Sequence, residues 1–258
     1  MIVCKSPAEI AKMRVASQLV AQVLEDLAAM VAPGVSTADL DAAAEAKVRA
    51  AGAEPAFKGY RGYPATLCAS VNEQVIHGIP GKTPMKAGDI VSLDMGVKLN
   101  GYYGDSAVTV PVGAVGEDVS RLLRVTQEAL ERGIAQVRLG GRISDIGHAI
   151  QQHVEAHGFS VVREFVGHGI GASLHEEPQI ANYGDPGRGP RLAEGMTLAI
   201  EPMVNVGRPN VKMLSDGWTA VTRDGSLSAH FEHTVAVTRN GPLVLTRVAA
   251  SAAVTRDE

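Results

Sequence analysis

The sequence predicts an α+β fold built from two related halves. Amphipathic helix patterns open each half, strand-like segments close each half, and Asp39-Leu40 recurs as Asp145-Ile146 at an offset of 106 residues. A chain of 258 residues has enough volume for one large domain with a shared interior. Halves of this kind, over residues 6–112 and 117–248, would enclose a cleft that is a natural ligand site.

Capping residues mark the predicted helices. Ser6–Glu9 has the pattern of a capping box with proline at the first helical position, and apolar residues then recur every three or four positions until Pro33-Gly34. A second helix is predicted to begin at Ser36 or Thr37 and to end at Gly52. The second half is predicted to repeat this pair, with helices over about 119–137 and 144–158.

Strand-like segments follow each predicted helix pair. They read TLCASV, DIVSLDM and DSAVTV in the first half, and TLAIEPMV and WTAVTRDGSLSAHFEHTVAVT in the second. Asn100-Gly101 is a strong turn signal, and a four-residue loop over Lys98–Gly101 would place Asp94 directly opposite Asp105. Residues from about Ala249 onward are predicted to be frayed.

Composition excludes several classes of function. The net charge is −4 and aromatic residues make up 4%, so neither a phosphate-binding basic surface nor a base-stacking surface is expected. Two cysteines, Cys4 and Cys68, cannot form a disulfide framework. The N-terminus lacks the layout of a signal peptide, and no apolar run approaches the ~20 residues of a membrane span. We expect a cytoplasmic monomer without nucleic-acid specificity or membrane insertion.

Four acidic residues stand next to apolar, strand-like sequence. Asp94 and Asp105 flank the predicted hairpin, and for this pair alone two solvated turn acids are the simpler interpretation. Glu201 follows the apolar segment MTLAI, and Glu232 lies inside an apolar strand pattern. Acids at apolar strand positions need partners, and four carboxylates that converge on one cleft call for about two divalent cations.

Three histidines accompany these acids. His168 and His175 lie in FVGHGIGASLHEEP, and His77 lies in VNEQVIHGIP. A histidine beside glycines is more often a capped loop residue, but the company of four buried acids favours metal ligands or proton donors. Three more histidines lie on the fourth predicted helix, and we interpret them as surface or packing residues: His148, His153 and His157.

These segments together resemble the methionine aminopeptidases of type I. NEQVIHGIP, LDMGVKLNGYYGD, FVGHGIGASLHEEP, LAIEPMV and FEHTVAV stand in the family's order and spacing over almost the whole chain. The resemblance implies the α/β pita-bread fold, in which two pseudo-two-fold-related halves form a curved antiparallel sheet flanked by helices. It also implies one catalytic domain over 1–258 that removes the N-terminal methionine from nascent polypeptides, prefers a small second residue and associates transiently with the ribosome.

The resemblance also assigns roles to individual residues. Two divalent ions, which are Co, Mn, Fe or Zn, would share a hydroxide, and Asp105 and Glu232 would bridge both ions. Glu201 would also carry a proton to the leaving amine, His175 would stabilise the oxyanion, and His77 would steer the peptide amide. The implied metal ligands are Asp94, Asp105, His168, Glu201 and Glu232.

The resemblance places four further residues around the substrate methionine: Tyr60, Tyr63, Cys68 and Trp218. Without the resemblance, a packing role for the aromatic residues of this set is an equally good interpretation. The chain departs from the usual type I pattern at Gly96, Tyr103 and Leu174, where threonine, histidine and phenylalanine are common. None of the three is an implied ligand, so these departures concern pocket detail, rate and metal preference.

Two other functions fit part of the pattern. An X-Pro peptidase or a metal-free creatine hydrolase on the same fold would usually carry an additional N-terminal domain, and a metal-free relative would have lost several of the acids. A non-catalytic binding protein would carry a degraded site, whereas the implied ligands are all present.

Overall fold

Four α-helices and fifteen short or medium strands build residues 1–248, the part of the chain that this computed structural model describes. The predicted frayed segment from Ala249 lies outside the described residues. The helices are α1 (Pro7–Met30), α2 (Thr37–Ala50), α3 (Glu117–Ile134) and α4 (Ile143–Ala156). The strands are β1 (Glu54–Pro55), β2 (Cys68–Val71), β3 (Gln74–Ile76), β4 (Ile90–Leu99), β5 (Tyr102–Pro111), β6 (Ser160–Val161), β7 (Gly167–Gly169), β8 (Glu176–Ile180), β9 (Thr197–Ile200), β10 (Met203–Asn205), β11 (Val211–Met213), β12 (Ala220–Thr222), β13 (Ser228–His230), β14 (Glu232–Thr238) and β15 (Gly241–Val244).

The predicted caps start the first two helices. Ser6 and Glu9 form the capping box of α1, and Ser36, rather than Thr37, is the N-cap of α2. The helix α4 begins one residue earlier than predicted, and the Asp145 carboxylate accepts a hydrogen bond of 2.7 Å from the backbone N–H at its N-cap. Two helix pairs therefore occupy matching places in the two halves of the chain.

A nine-stranded antiparallel sheet joins the two halves. Its main strand order is β1-β4-β5-β14-β9-β7-β8, with β2 also paired to β4 and β15 also paired to β14. The contact between the halves is the pairing of β5 with β14, where Glu232 lies opposite Ala107. Two three-stranded sheets, β13-β10-β6 and β11-β12-β3, flank it.

The predicted four-residue loop between β4 and β5 is wrong. Leu99 pairs with Tyr102, so only Asn100 and Gly101 form the turn. Both have positive φ, 53° and 82°, as a two-residue turn matched to the twist of a hairpin requires. Asp94 therefore lies opposite Ala107, and Asp105 lies opposite Gly96. The two aspartates are diagonal neighbours on one face of the sheet instead of direct partners.

The two faces of the central sheet have different environments. Leu93, Met95 and Val97 of β4 point away from Asp94 and pack with residues of α1 and α2 in one buried cluster. A second buried cluster joins α3 and α4 to β9 and β14. Asp94, Asp105 and Glu232 point to the other face, where they line a pocket. Within residues 1–248, no helix has the length and apolar character needed to cross a membrane.

Candidate active site

Three of the predicted ligands lie in adjacent rows of the central sheet. Asp94 on β4 and Glu232 on β14 both lie opposite Ala107 of β5, so the small alanine side chain separates them. Asp105 lies two residues from Ala107 on the same face. The Thr234 hydroxyl donates to the backbone carbonyl of Asp105 at 2.7 Å, which ties β5 to β14 beside these carboxylates.

The other two predicted ligands come from β7 and from the end of β9. His168 pairs with Ala199, and its Nε2 atom lies 3.6 Å from Glu201 Oε1 and 4.0 Å from Asp105 Oδ2. Ligand atoms of Asp105, His168 and Glu232 all lie within 4.8 Å of one another. The structure thus brings together side chains from both halves, as the sequence predicts.

The electrostatics of this cluster favour a bound cation. Burial raises the pKa of Asp94 to about 8, and burial together with the neighbouring carboxylates raises the pKa values of Asp105, Glu201 and Glu232 well above their usual range. Asp94 Oδ1, Asp105 Oδ1 and Glu232 Oε1 are buried without a hydrogen-bond partner. Four carboxylates and one imidazole form a donor set that suits divalent metal ions, so these residues fit the implied metals.

The cluster forms the floor of a pocket of about 660 Å³, measured with its open mouth. All four residues predicted to surround the substrate side chain line this pocket: Tyr60, Tyr63, Cys68 and Trp218. The Tyr63 hydroxyl donates to the carbonyls of Leu67 and Gly78 at 3.1 and 2.9 Å, and its ring meets the edge of Trp218. These contacts hold an aromatic wall beside the carboxylates.

Cys68 connects that wall to the floor. It pairs with Asp94 across β2 and β4 and is buried. Burial and the charge of Asp94 raise the pKa of the Cys68 thiol well above its usual range. The thiol therefore remains protonated and acts as a small, polarizable wall group.

His175 also lines the pocket, with its ring against that of Tyr60. The two rings stack with centroids 5.2 Å apart, and His175 Nδ1 lies 2.9 Å from the Tyr60 hydroxyl. Burial and the nearby Arg61 guanidinium lower the pKa of His175, so the imidazole is neutral at neutral pH. His168 lies on its other side, with ring centroids 4.2 Å apart.

His77 faces the pocket from the end of β3. Its backbone φ is +60°, an uncommon value for a residue other than glycine, and its ring meets the edges of Phe165 and Trp218. Burial, with a smaller contribution from His175, lowers the pKa of His77 to about 4. A neutral imidazole is thus held at the pocket wall.

Some residues in and beside the pocket are not predicted by the sequence. Phe57 and Arg61 line the wall near Tyr60, and no motif singles them out. His230 is fully buried with both ring nitrogens unpartnered, and its Nε2 atom lies 3.9 Å from Glu201 Oε2. Strand alternation was the available signal for His230, because it lies two residues before Glu232 and faces the same side.

The three departures from the type I pattern have different environments. A Cβ atom on Gly96 would lie 3.0 Å from Phe57 Cε1 and 3.1 Å from Ala56 Cβ, so Phe57 occupies space that a larger residue needs. Leu174 is buried and lines the pocket. Tyr103 is only partly buried, and its backbone N–H donates to Gly171 at 2.9 Å, outside the metal-ligand cluster.

Comparison with known proteins defines the class. A model of metallopeptidase family M24 matches residues 11–239. The chain therefore belongs to metallopeptidase family M24, a family of metal-dependent hydrolases, and this confirms the predicted enzyme class.

Comparison with individual members of the family identifies a narrower group. Methionine aminopeptidase 1 of Bacillus subtilis is 54% identical over 248 residues, which are 96% of this chain and 100% of that protein. The methionine aminopeptidase of Clostridium perfringens is 53% identical over the same shares of the two chains. Within family M24, the chain groups with these type I methionine aminopeptidases, as its sequence motifs predict.

Solved structures confirm the predicted pita-bread fold. Methionine aminopeptidase from Rickettsia prowazekii superimposes with a TM-score of 0.95 at 43% identity and covers 96% of this chain and 100% of that chain. The enzyme from Thermotoga maritima has a TM-score of 0.94 at 49% identity, with the same coverage. A prolidase from Pyrococcus horikoshii shares the fold at 21% identity and a TM-score of 0.78, but this chain covers 65% of its length.

Proposed function

We propose that this protein removes the N-terminal methionine from nascent polypeptides whose second residue is small. One observation carries the proposal: four buried carboxylates and one imidazole converge at the floor of a pocket with an aromatic, thiol-containing wall. The relatives named methionine aminopeptidase support the same reaction. We treat residues 1–258 as one catalytic domain and the halves 6–112 and 117–248 as an internal repeat.

The proposed metal ligands are the five clustered side chains, which would hold the ions at the pocket floor. When bound, two divalent ions, whether Co, Mn, Fe or Zn, would lower the pKa of water and polarise the scissile carbonyl. Three of the ligands have a buried oxygen without a hydrogen-bond partner, which suits a bound cation: Asp94, Asp105 and Glu232. The five side chains are Asp94, Asp105, His168, Glu201 and Glu232.

Glu201 is the proposed proton carrier. Its buried carboxylate lies inside the cluster, with Oε1 3.6 Å from His168 Nε2, where it can reach a water molecule held at the pocket floor. Glu201 takes one proton from the attacking water, whose oxygen forms the new bond to the carbonyl carbon. The same proton then passes to the departing amine nitrogen as the C–N bond breaks, so Glu201 returns to its initial state.

His175 is the proposed donor to the oxyanion. If the Tyr60 hydroxyl donates to His175 Nδ1, the neutral imidazole carries its proton on Nε2, the atom free to face substrate. A neutral donor that is already oriented stabilises developing negative charge without a large reorganisation. His77, which also lines the pocket, is proposed to contact the peptide amide.

Substrate selection is proposed to arise from the pocket wall. The rings of Tyr63 and Trp218 and the thiol of Cys68 form a soft surface suited to a thioether side chain. Tyr60, stacked on His175, also lines the pocket, and we propose that the pocket closes over a small second residue and refuses a bulky one.

A peptide assay tests the proposal. Metal-loaded protein should release free methionine from Met-Ala-Ser and much less from Met-Leu-Ser, and it should not cleave before proline in an X-Pro peptide. Cleavage only before proline would support a prolidase-type activity instead. No hydrolysis of any peptide with Co²⁺, Mn²⁺, Fe²⁺ or Zn²⁺ would support a binding protein.

A further inference from the structure

A second cluster of metal-ligand side chains lies outside the pocket, where α3 packs against α4. It contains Glu128 from α3 and His153 and His157 from the end of α4. One ligand atom from each side chain lies within 4.8 Å of the other two. The side chains of this cluster are half-buried or buried, so they are ordered by packing and still reachable from solvent.

Helix geometry brings the two histidines together. His153 and His157 are four residues apart, which places them on one face of α4, and their ring centroids are 4.4 Å apart. His157 is the C-cap residue of α4. The carbonyl end of a helix carries a partial negative charge, but the His157 carbonyl already accepts a hydrogen bond from the Arg121 guanidinium, so the side chains would supply the ligands of an ion.

The hydrogen bonds leave suitable ligand atoms. His157 Nδ1 lies 2.8 Å from the backbone carbonyl of His153, and donation from Nδ1 leaves Nε2 unprotonated. Metal-bound histidines commonly donate their second ring N–H to such a carbonyl, which fixes the tautomer. His153 Nε2 lies 3.0 Å from Glu128 Oε2, so an ion could take the place of the hydrogen that these atoms share.

Neighbouring charges indicate which ion would bind. Arg124 Nη1 lies 3.2 Å from Glu128 Oε1 and neutralises part of the charge of this carboxylate. A hard cation such as Ca²⁺ or Mg²⁺, which binds mainly through carboxylate oxygens, would therefore bind weakly here. Imidazole nitrogens bind borderline-soft ions more strongly, and two imidazoles with one carboxylate are a common zinc ligand set.

We propose that Glu128, His153 and His157 form a second metal site that takes Zn²⁺ and links α3 to α4. Three protein ligands leave one coordination position for water. Because these helices pack on the sheet strands of the second half, an ion that binds only the folded chain would stabilise that half. The site is separate from the proposed catalytic pocket, so its existence does not depend on peptide hydrolysis.

Histidine-ring NMR during a titration with Zn²⁺ alone tests this proposal. Zinc should shift the ring nitrogen resonances of His153 and His157, while His148 on the same helix stays unchanged. The ring of His168 reports separately on binding in the pocket. Equilibrium dialysis should show one zinc fewer per chain in His157→Gln, or an affinity at least about tenfold weaker at this site.

His148→Gln is the matched control, because it removes a histidine of α4 whose ring bonds the carbonyl of Gly184 instead. This variant should bind as much zinc as the unaltered protein. Zinc should also raise the melting temperature of the unaltered protein more than that of His157→Gln. Unshifted His153 and His157 resonances while His168 shifts, or equal zinc binding by His157→Gln and the unaltered protein, would overturn the proposal.

Discussion

Asp94 and Glu232 lie on strands that flank β5, and both pair with the same residue, Ala107. One carboxylate comes from each half of the chain. The methyl group of Ala107 between them is the smallest side chain other than that of glycine, and glycine would weaken the strand. This row places the acids close together without a bulky group that would separate them. It explains how two halves that share one sheet can both contribute ligands to the proposed metal centre.

The row predicts the effect of enlarging Ala107. Ala107→Leu should fold, with an overpacking cost of about 1–3 kcal/mol, but its side chain should occupy the space between Asp94 and Glu232. We expect metal affinity at least about tenfold lower, measured by calorimetric titration with Mn²⁺. Ala107→Gly keeps that space and should bind Mn²⁺ nearly as well. Unchanged affinity in the leucine variant would mean that the row does not define the site.

Glu201→Gln should separate catalysis from folding. The amide cannot carry the proton, so turnover of Met-Ala-Ser should fall by about a hundredfold or more. The metal-free variant should melt at a higher temperature than the metal-free unaltered protein, because one of four mutually repelling carboxylates is gone. Glu194→Gln, at an exposed ion pair with Arg239, is the control and should change neither property. Near-normal turnover would remove Glu201 from the mechanism.

The raised carboxyl pKa values predict how pH affects the metal-free protein. Asp94 has a folded-state pKa of about 8 against an ordinary value of 3.8, so the folded state binds more protons and loses stability as pH rises toward 8. Each such group contributes a slope of up to about 1.4 kcal/mol per pH unit. His77 and His168, with pKa values lowered to about 4, oppose this trend only below their ordinary value of 6.5.

Denaturant unfolding of chelator-treated protein between pH 6.5 and 8 measures this slope. The free energy of unfolding should decrease over that range, and saturating Mn²⁺ should remove most of the decrease. Asp94→Asn should reduce the slope in the metal-free protein. A flat profile without metal would show that the four acids are not buried together.

Removal of the Tyr60 hydroxyl should lower turnover, whereas removal of a tyrosine hydroxyl outside the pocket should not. Tyr60→Phe keeps the ring stack on His175 but removes the hydroxyl 2.9 Å from Nδ1, so the imidazole loses its tautomer control. We expect kcat to fall about tenfold with a smaller change in KM. Tyr102→Phe, which removes a hydroxyl bonded to Glu9 at 2.8 Å outside the pocket, is the control. Equal effects of the two variants would contradict a specific role for Tyr60.

Much of the fold was predictable because its signals are local. The capping boxes at Ser6 and Ser36 and the apolar periodicity define the helices without reference to distant residues. The hairpin register was missed because Asn-Gly can close loops of different length. Only the pairing of Leu99 with Tyr102 shows that the turn has two residues.

The clearest sequence signal for the candidate site is a charge inside an apolar strand, as at Glu232, whereas the Asp94–Asp105 pair taken alone favours two solvated turn acids. Residues that join it through packing alone gave no such signal: Phe57 fills space beside Gly96, and Arg61 affects the site through its charge on His175. The sequence favours surface or packing roles for His153 and His157 because it does not show that Glu128 lies beside His153.

Anomalous diffraction from crystals grown with Mn²⁺ tests the central claim most directly, because it locates each ion without assuming a mechanism. The account predicts two strong peaks at the pocket floor, in contact with side chains from both halves of the chain. A pocket without peaks, or Mn²⁺ held only by residues of one half, would contradict it.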